Sequence, residues 1–253
     1  MHNLLIERDK FGRFIKGIKP WNKGTVGICK PKRTSFKIGH KWPKCIEKKR
    51  IAHLYRCSPN LKSTKDLAYL LGVLKGDGYT NYSEKYNRCI IGLQNTRFKF
   101  CKNFADTLRA INLNPSFGKN KKLKGVGKHK LYYVVANSQI FYKWYKKLSL
   151  FELKRLLNTK GKKIAFIRGF YESEGSLVKR KDKKYHLSFT NTDENLLKLV
   201  KNFLKGIGFV FHLNGPYKTI GLGKKFRYHL ETSKQPQIAE FIKTVNPSIK
   251  RNY

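Results

Sequence analysis

Asp66-Leu67-Ala68-Tyr69-Leu70-Leu71-Gly72-Val73-Leu74-Lys75-Gly76-Asp77-Gly78 and, 97 positions later, Lys163-Ile164-Ala165-Phe166-Ile167-Arg168-Gly169-Phe170-Tyr171-Glu172-Ser173-Glu174-Gly175 are two versions of one pattern. Each is an apolar stretch with a small residue at every fourth position, ending in an acid followed by glycine. The likeness continues downstream. Gln94-Asn95-Thr96 matches Thr190-Asn191-Thr192, and residues 98–112 match 194–208 as amphipathic helices. Self-similarity at one spacing means two copies of a structural unit. Two copies suggest a pseudo-two-fold axis between them.

Hydrophobic periodicity predicts the same order of elements in each copy. A helix comes first (66–77 and 163–174). Two strands follow (79–84 and 88–94; 176–181 and 185–190), then a helix (97–111 and 193–206). Two more strands (116–122 and 130–136; 209–213 and 226–231) precede a closing helix (138–147 and 235–244). Helix 150–158 joins the copies. The fold class is α+β, two pseudosymmetric αββαββα units. The predicted domains are a basic, loop-rich arm over 1–62, a first unit over 63–158 and a second over 159–253.

On the two leading helices, Ala68, Gly72 and Gly76 form one small face, and Ala165, Gly169 and Ser173 form the other. Small faces let helix backbones approach closely. A glycine inside a helix costs about 1 kcal/mol relative to alanine, so its presence in both copies predicts that the two helices touch each other along the pseudo-axis. Leu67, Leu70, Leu71 and Leu74 then anchor the first helix in its own core. The glycines after the acids read as ordinary helix C-caps. The acids do not, because a carboxylate at a helix C-terminus opposes the macrodipole and the terminal carbonyls. Two such ends side by side form a place that a cation or a proton relieves. Hard divalent ions such as Mg²⁺ or Mn²⁺ prefer these oxygen donors and bridge carboxylates to phosphate.

Composition narrows the partner. The chain of 253 residues has 56 Lys and Arg against 15 acids, a net charge of +41, yet is 40% hydrophobic. That apolar fraction supports a core and excludes a disordered polybasic chain. Nothing approaches the run of about 18 apolar residues that a membrane span needs, and the opening residues turn charged too early for a secretory signal. The excess charge calls for a polyanion, and nucleic acid leads by counterion release. Residues 1–62 carry 17 Lys and Arg against 3 acids. Within them Phe14–Trp21 resembles Phe36–Pro43, basic and aromatic residues punctuated by Gly and Pro, which suits an arm laid along a phosphate backbone. Five cysteines without close pairing fit a reducing compartment. Cys29, His40, Cys45 and Cys57 match no common zinc spacing.

The two acid-ended stretches resemble the paired motifs of a single-chain LAGLIDADG homing endonuclease, over about residues 63–247. The resemblance implies a pseudosymmetric pair of sheets seated on duplex DNA. It implies Asp77 and Glu174 as metal-binding catalytic acids, one per strand, with the carbonyls of Gly76 and Ser173 also contacting metal. Gln94 and Asn191 fall where the family places polar residues near the scissile phosphates. Lys162 is the candidate for the family's positively charged active-site residue. Lys75 and Glu172 occupy a variable motif position, and Glu174 replaces the usual final Asp. The N-terminal repeat resembles DNA-binding modules appended to intron-encoded nucleases.

The resulting expectation is a monomeric, Mg²⁺- or Mn²⁺-dependent, site-specific DNA endonuclease of intron homing, making a double-strand break. Asn81, Tyr82, Arg88 and Gln94 in the first half, and Lys179, Lys181, His186, Ser188 and Thr190 in the second, are candidates to read bases in the major groove. Lys119, Lys121 and Lys122 would hold phosphates. Two halves reading about one helical turn each imply a site of about 20 bp. Two other classes keep the same fold: a maturase binding its host intron RNA, and a non-catalytic DNA-binding regulator. The start at Met1 favours an intron host over an intein. Lysine bias suits an AT-rich genome, so the expected location is intracellular, in a prokaryotic cytoplasm or an organelle.

Overall fold

The computed structural model describes Gly24 and residues 58–84, 88–120, 130–218 and 226–249. These belong to one compact unit, Arg50–Tyr253, apart from Gly24. The arm expected over 1–62, its repeat and its cysteines fall almost wholly outside the described residues, as do Lys121 and Lys122.

The first half runs α1 (Lys65–Leu74), β1 (Tyr79–Ser83), β2 (Arg88–Asn95), α2 (Phe98–Ala110), β3 (Ser116–Asn120), β4 (Leu131–Asn137) and α3 (Gln139–Lys147). After a short α4 (Leu150–Leu156), the second half repeats the order: α5 (Lys160–Glu174), β5 (Gly175–Lys179), β6 (Tyr185–Asn191), α6 (Glu194–Gly206), β7 (His212–Lys218), β8 (Phe226–Thr232) and α7 (Gln235–Val245). Each half holds one four-stranded antiparallel sheet, ordered β1-β2-β4-β3 and β5-β6-β8-β7. Thr64 and Thr159 cap α1 and α5, their side chains accepting from the backbone N–H groups of Leu67 and Lys162. A Thr oxygen at that position satisfies one of the orphan donors of a helix start.

Helices cover one side of each sheet. Leu93, Val134, Leu187, Phe189 and Leu230 point into that covered side and are fully buried. The core is continuous through both halves, so the two predicted units are halves of one body. The small-residue faces explain why. A Cβ on Gly72 would lie 2.1 Å from the Phe166 carbonyl oxygen, and one on Gly169 would lie 2.3 Å from the Tyr69 carbonyl oxygen. Each glycine thus seats the backbone of the other helix, and α1 and α5 pack backbone to backbone.

Two boundaries and the backbone after the acids depart most from the sequence expectation. Helix α1 ends at Leu74, and Lys75–Asp77 form a turn in which the N–H groups of Gly76 and Gly78 both bond the Val73 carbonyl. Strand β7 starts at His212 rather than 209. Phe209 and Phe211 are buried in a lead-in whose apolar alternation imitates a strand. The glycines after the two acids are not left-handed caps. Gly175 has φ −77° and ψ 145°, and its Cβ would collide with the Tyr171 ring at 2.1 Å. Packing, not backbone handedness, requires glycine there.

Candidate active site

Strand β5 begins directly after α5, and β1 begins just past the Lys75–Asp77 turn that follows α1. The ends touch: a Cβ on Gly76 would lie 2.4 Å from the Ser173 Cβ and 3.0 Å from the Glu174 Cγ. Asp77 and Glu174 follow Gly76 and Ser173 by one residue each, which brings the carboxylates to a common place. Burial, and next the negative charge of Asp77, push the Glu174 carboxyl up from 4.5 to about 7. Asp77 is exposed and Glu174 half-buried.

Each acid has an asparagine beside it. Asn95 Nδ2 donates to Asp77 Oδ2 at 3.2 Å, and Asn191 Nδ2 donates to Glu174 Oε1 at 3.4 Å. Both asparagines end the second strand of their sheet. Gln94, the residue named from the sequence in the first half, pairs with Tyr133 and points to the sheet side away from the helices. Strand side chains alternate sides, so a shift of one residue decides which amide meets the acid. The Gln94-Asn95-Thr96 match to Thr190-Asn191-Thr192 already aligned Asn95 with Asn191 and was the signal available for it.

Lys162 lies in the first turn of α5 and bonds Asn158 Oδ1 at 3.0 Å. Glu174 is 12 residues further along, roughly 18 Å at the rise of an α-helix, which removes Lys162 from the site. Lys75 is the cation adjoining the acids in sequence. Burial lowers its pKa, and its Nζ sits 5.4 Å above the Tyr145 ring. The pseudosymmetric position, Glu172, is buried at 2% exposure. It accepts from Tyr69 Oη, from Arg168 Nε at 3.2 Å, and from Ser248 N at 2.6 Å and Oγ at 2.8 Å. A buried carboxylate needs this many donors. It ties α1, α5 and the segment after α7 together two residues before Glu174. Burial raises the Tyr69 phenol well above 10.0, and the Glu172 charge adds to it.

The strand registers sort the other candidates. Asn81 pairs with Ile90 and Arg88 with Ser83; His186, Ser188 and Thr190 alternate with buried Leu187 and Phe189. These five lie on the open side of their sheets. Tyr82 pairs with buried Cys89, Lys119 with Tyr132, and Lys179 with Tyr185, so these three lie on the helix-covered side. Lys179 Nζ stands 5.6 Å over the Tyr185 ring. Lys181 is exposed in the β5–β6 turn.

The donor set suits a hard divalent ion: two convergent carboxylates, of which Glu174 is raised by burial and then by the charge of Asp77. Among the described residues no three His, Cys, Asp or Glu side chains gather around one point. An ion there would draw its remaining ligands from carbonyls, water and phosphate. The raised value also sets a pH dependence. A carboxyl whose folded value exceeds its unfolded one stabilises the fold fully below about 4.5, and that contribution is lost as pH rises through about 7. In EDTA, Glu174→Gln should therefore gain thermal stability over the parent as pH rises from about 5 to about 8. A gap that did not change with pH would show that neither burial nor the Asp77 charge shifts Glu174.

Residues 161–246 match the LAGLIDADG-like domain family. An uncharacterized protein of Methanocaldococcus jannaschii is 33% identical over 168 residues, 63% of this chain and 62% of that protein; the match thus spans less than two thirds of that relative. The homing endonuclease I-DmoI in complex with DNA and Ca superposes with a TM-score of 0.51 at 22% identity, covering 73% of this chain and 90% of that one. The N-terminal LAGLIDADG domain of DUF199/WhiA gives 0.52 at 16% identity, covering 77% and 86%. The fold is that of the LAGLIDADG homing endonucleases, shared with WhiA. I-DmoI has also been solved with DNA in the presence of Mn and of Mg. Among the described residues no helix is long and apolar enough to cross a membrane.

Proposed function

We propose that this chain is a site-specific, divalent-metal-dependent DNA endonuclease of the two-motif LAGLIDADG kind, with residues 1–62 as an additional DNA-binding arm. The observation that carries the reading is the meeting of Asp77 and Glu174 at two touching helix ends, each held by an asparagine. A protein that only needed the fold for binding has no reason to place two repelling carboxylates together in a chain of net charge +41.

Asp77 and Glu174 would hold Mg²⁺ or Mn²⁺, with the carbonyls of Gly76 and Ser173 as further oxygen donors. The ion supplies Lewis-acid stabilisation of charge on the reacting phosphate and lowers the pKa of water near it. The protein does the rest. Asn95 and Asn191 orient the two carboxylates. The Gly72 and Gly169 contact sets their separation. Asn81, Arg88, Ser188 and Thr190, on the open sides, would meet base edges, and the long side chains of Lys119 and Lys179, exposed on edge strands, would reach phosphates. Pseudosymmetry assigns one acid to each strand, and hydrolysis on both gives a double-strand break. Glu174, longer and less exposed than Asp77, makes unequal strand rates the expected behaviour.

The test is cleavage of duplex DNA carrying the uninterrupted locus into which the encoding element is inserted, with Mg²⁺ or with EDTA. A Mg²⁺-dependent double-strand cut near the insertion point is expected. Binding without a cut would instead favour a non-catalytic DNA-binding role. Binding in EDTA should weaken steeply between about 50 and 200 mM salt, and a flat dependence would contradict phosphate contacts.

A further inference from the structure

The open sides of the two sheets differ in chemistry. On the first, the side chains in register include Tyr79, Ile90, Tyr133 and Val135. The second carries the one carboxylate among all described strand residues, Glu231 on β8. Its neighbours in sequence, Leu230 and Thr232, are buried, so Glu231 projects from the side without helices.

Glu231 is held in place from two neighbouring strands. Asn214 on β7 donates to its Oε1 at 2.8 Å. His186 on β6 meets its Oε2 through Nε2 at 3.1 Å. The other ring nitrogen, Nδ1, lies 2.9 Å from Arg180 Nη2 and 2.9 Å from Ser233 Oγ. A guanidinium only donates, so Nδ1 is the acceptor and the ring hydrogen is on Nε2, pointing at Glu231. The chain Arg180–His186–Glu231 is thus a directed relay of hydrogen bonds across the sheet. Glu231 keeps 27% of its side chain exposed. It borders a cavity of about 520 Å³ that Ser188, Thr190 and Arg227 also line.

An anion fixed on a face that must approach DNA repels phosphate. It is tolerable there only where it meets a hydrogen-bond donor. The major-groove donors are the exocyclic amino groups, and carboxylates accept from cytosine N4. Resting on the DNA-binding reading above, we infer that Glu231 is a specificity-determining residue: it accepts from the amino group of one cytosine in the half-site under the second sheet, with His186 and Asn214 as positioning residues. The first sheet, which has no carboxylate on its described strands, makes no such demand on its half-site.

The experiment selects bound duplexes from a library with about 20 randomised base pairs, using the full chain in EDTA so that strands stay intact. The parent should enrich one position in one half-site for C·G, by roughly tenfold over other pairs. Glu231→Gln should move that position toward A·T, because a carboxamide pairs with adenine N6 and N7, and Glu231→Ala should flatten it. All other positions should keep their preferences. An unchanged consensus in both variants would overturn the assignment while leaving the DNA-binding reading intact. Absence of any enrichment by the parent would overturn both.

Discussion

Asp77→Asn should abolish cleavage while leaving DNA binding in EDTA intact or slightly tighter. The substitution keeps size and the hydrogen bond with Asn95 but removes one of the two anionic donors. Metal stabilisation of the transition state is worth several kcal/mol; a loss of about 4 kcal/mol corresponds to roughly a 10³-fold slower cut. Binding holds because Asp77 stands at the helix end and not among the strand residues of the open face, and because one less anion faces the phosphates. Glu174→Gln should do the same from the other half. Single-turnover cleavage resolved by strand, alongside a binding titration, separates these effects. Parental rates in Asp77→Asn would remove the carboxylate pair from the chemistry. Loss of binding together with cutting would make Asp77 a structural residue.

The second large effect is on stability. Gly72→Ala should destabilise the protein by about 3 kcal/mol, the upper end for overpacking, and lower Tm by about 6–12 °C for a chain of this size. Its Cβ would fall 2.1 Å from the Phe166 carbonyl oxygen and 2.9 Å from the Phe170 nitrogen. Both are backbone atoms of α5 and cannot rotate away, so the helices must separate. Cleavage should fall as well, since the same contact sets the distance between Asp77 and Glu174. Gly206→Ala is the control: on α6 its Cβ would meet nothing nearer than Lys163 Nζ at 3.6 Å, and it should stabilise by about 0.5 kcal/mol through the unfolded state. If Gly72→Ala melted with the parent in thermal denaturation, the backbone contact would not govern the fold.

Much of this architecture was legible before any coordinates. The repeat with its 97-residue spacing, the small faces and the acid-glycine endings are covalent facts of the chain, and helical and strand periods convert them into faces. Phe98–Ala110 and Glu194–Gly206 follow from amphipathic patterns that need no partner to be recognised. The bounds of strand β7 did not follow. Phe209 and Phe211 alternate like a strand, and their burial comes from α7, where both rings pack on Phe241. Glu172 was opaque for a related reason. A charged residue at a variable position reads as solvent-facing until Tyr69, 103 residues earlier, and Ser248, 76 residues later, are brought to it.

Local period and residue size alone dictate two copies of one unit, an α+β class, touching helices and a pair of acids at their ends. Which neighbour of each acid holds it, which side of a sheet each polar residue occupies, and the aiming of a lone carboxylate on β8 by His186 and Asn214 emerge from the folded chain alone. Those depend on strand register, where a shift of one residue exchanges the two faces. Register is set by contacts between segments far apart in the chain.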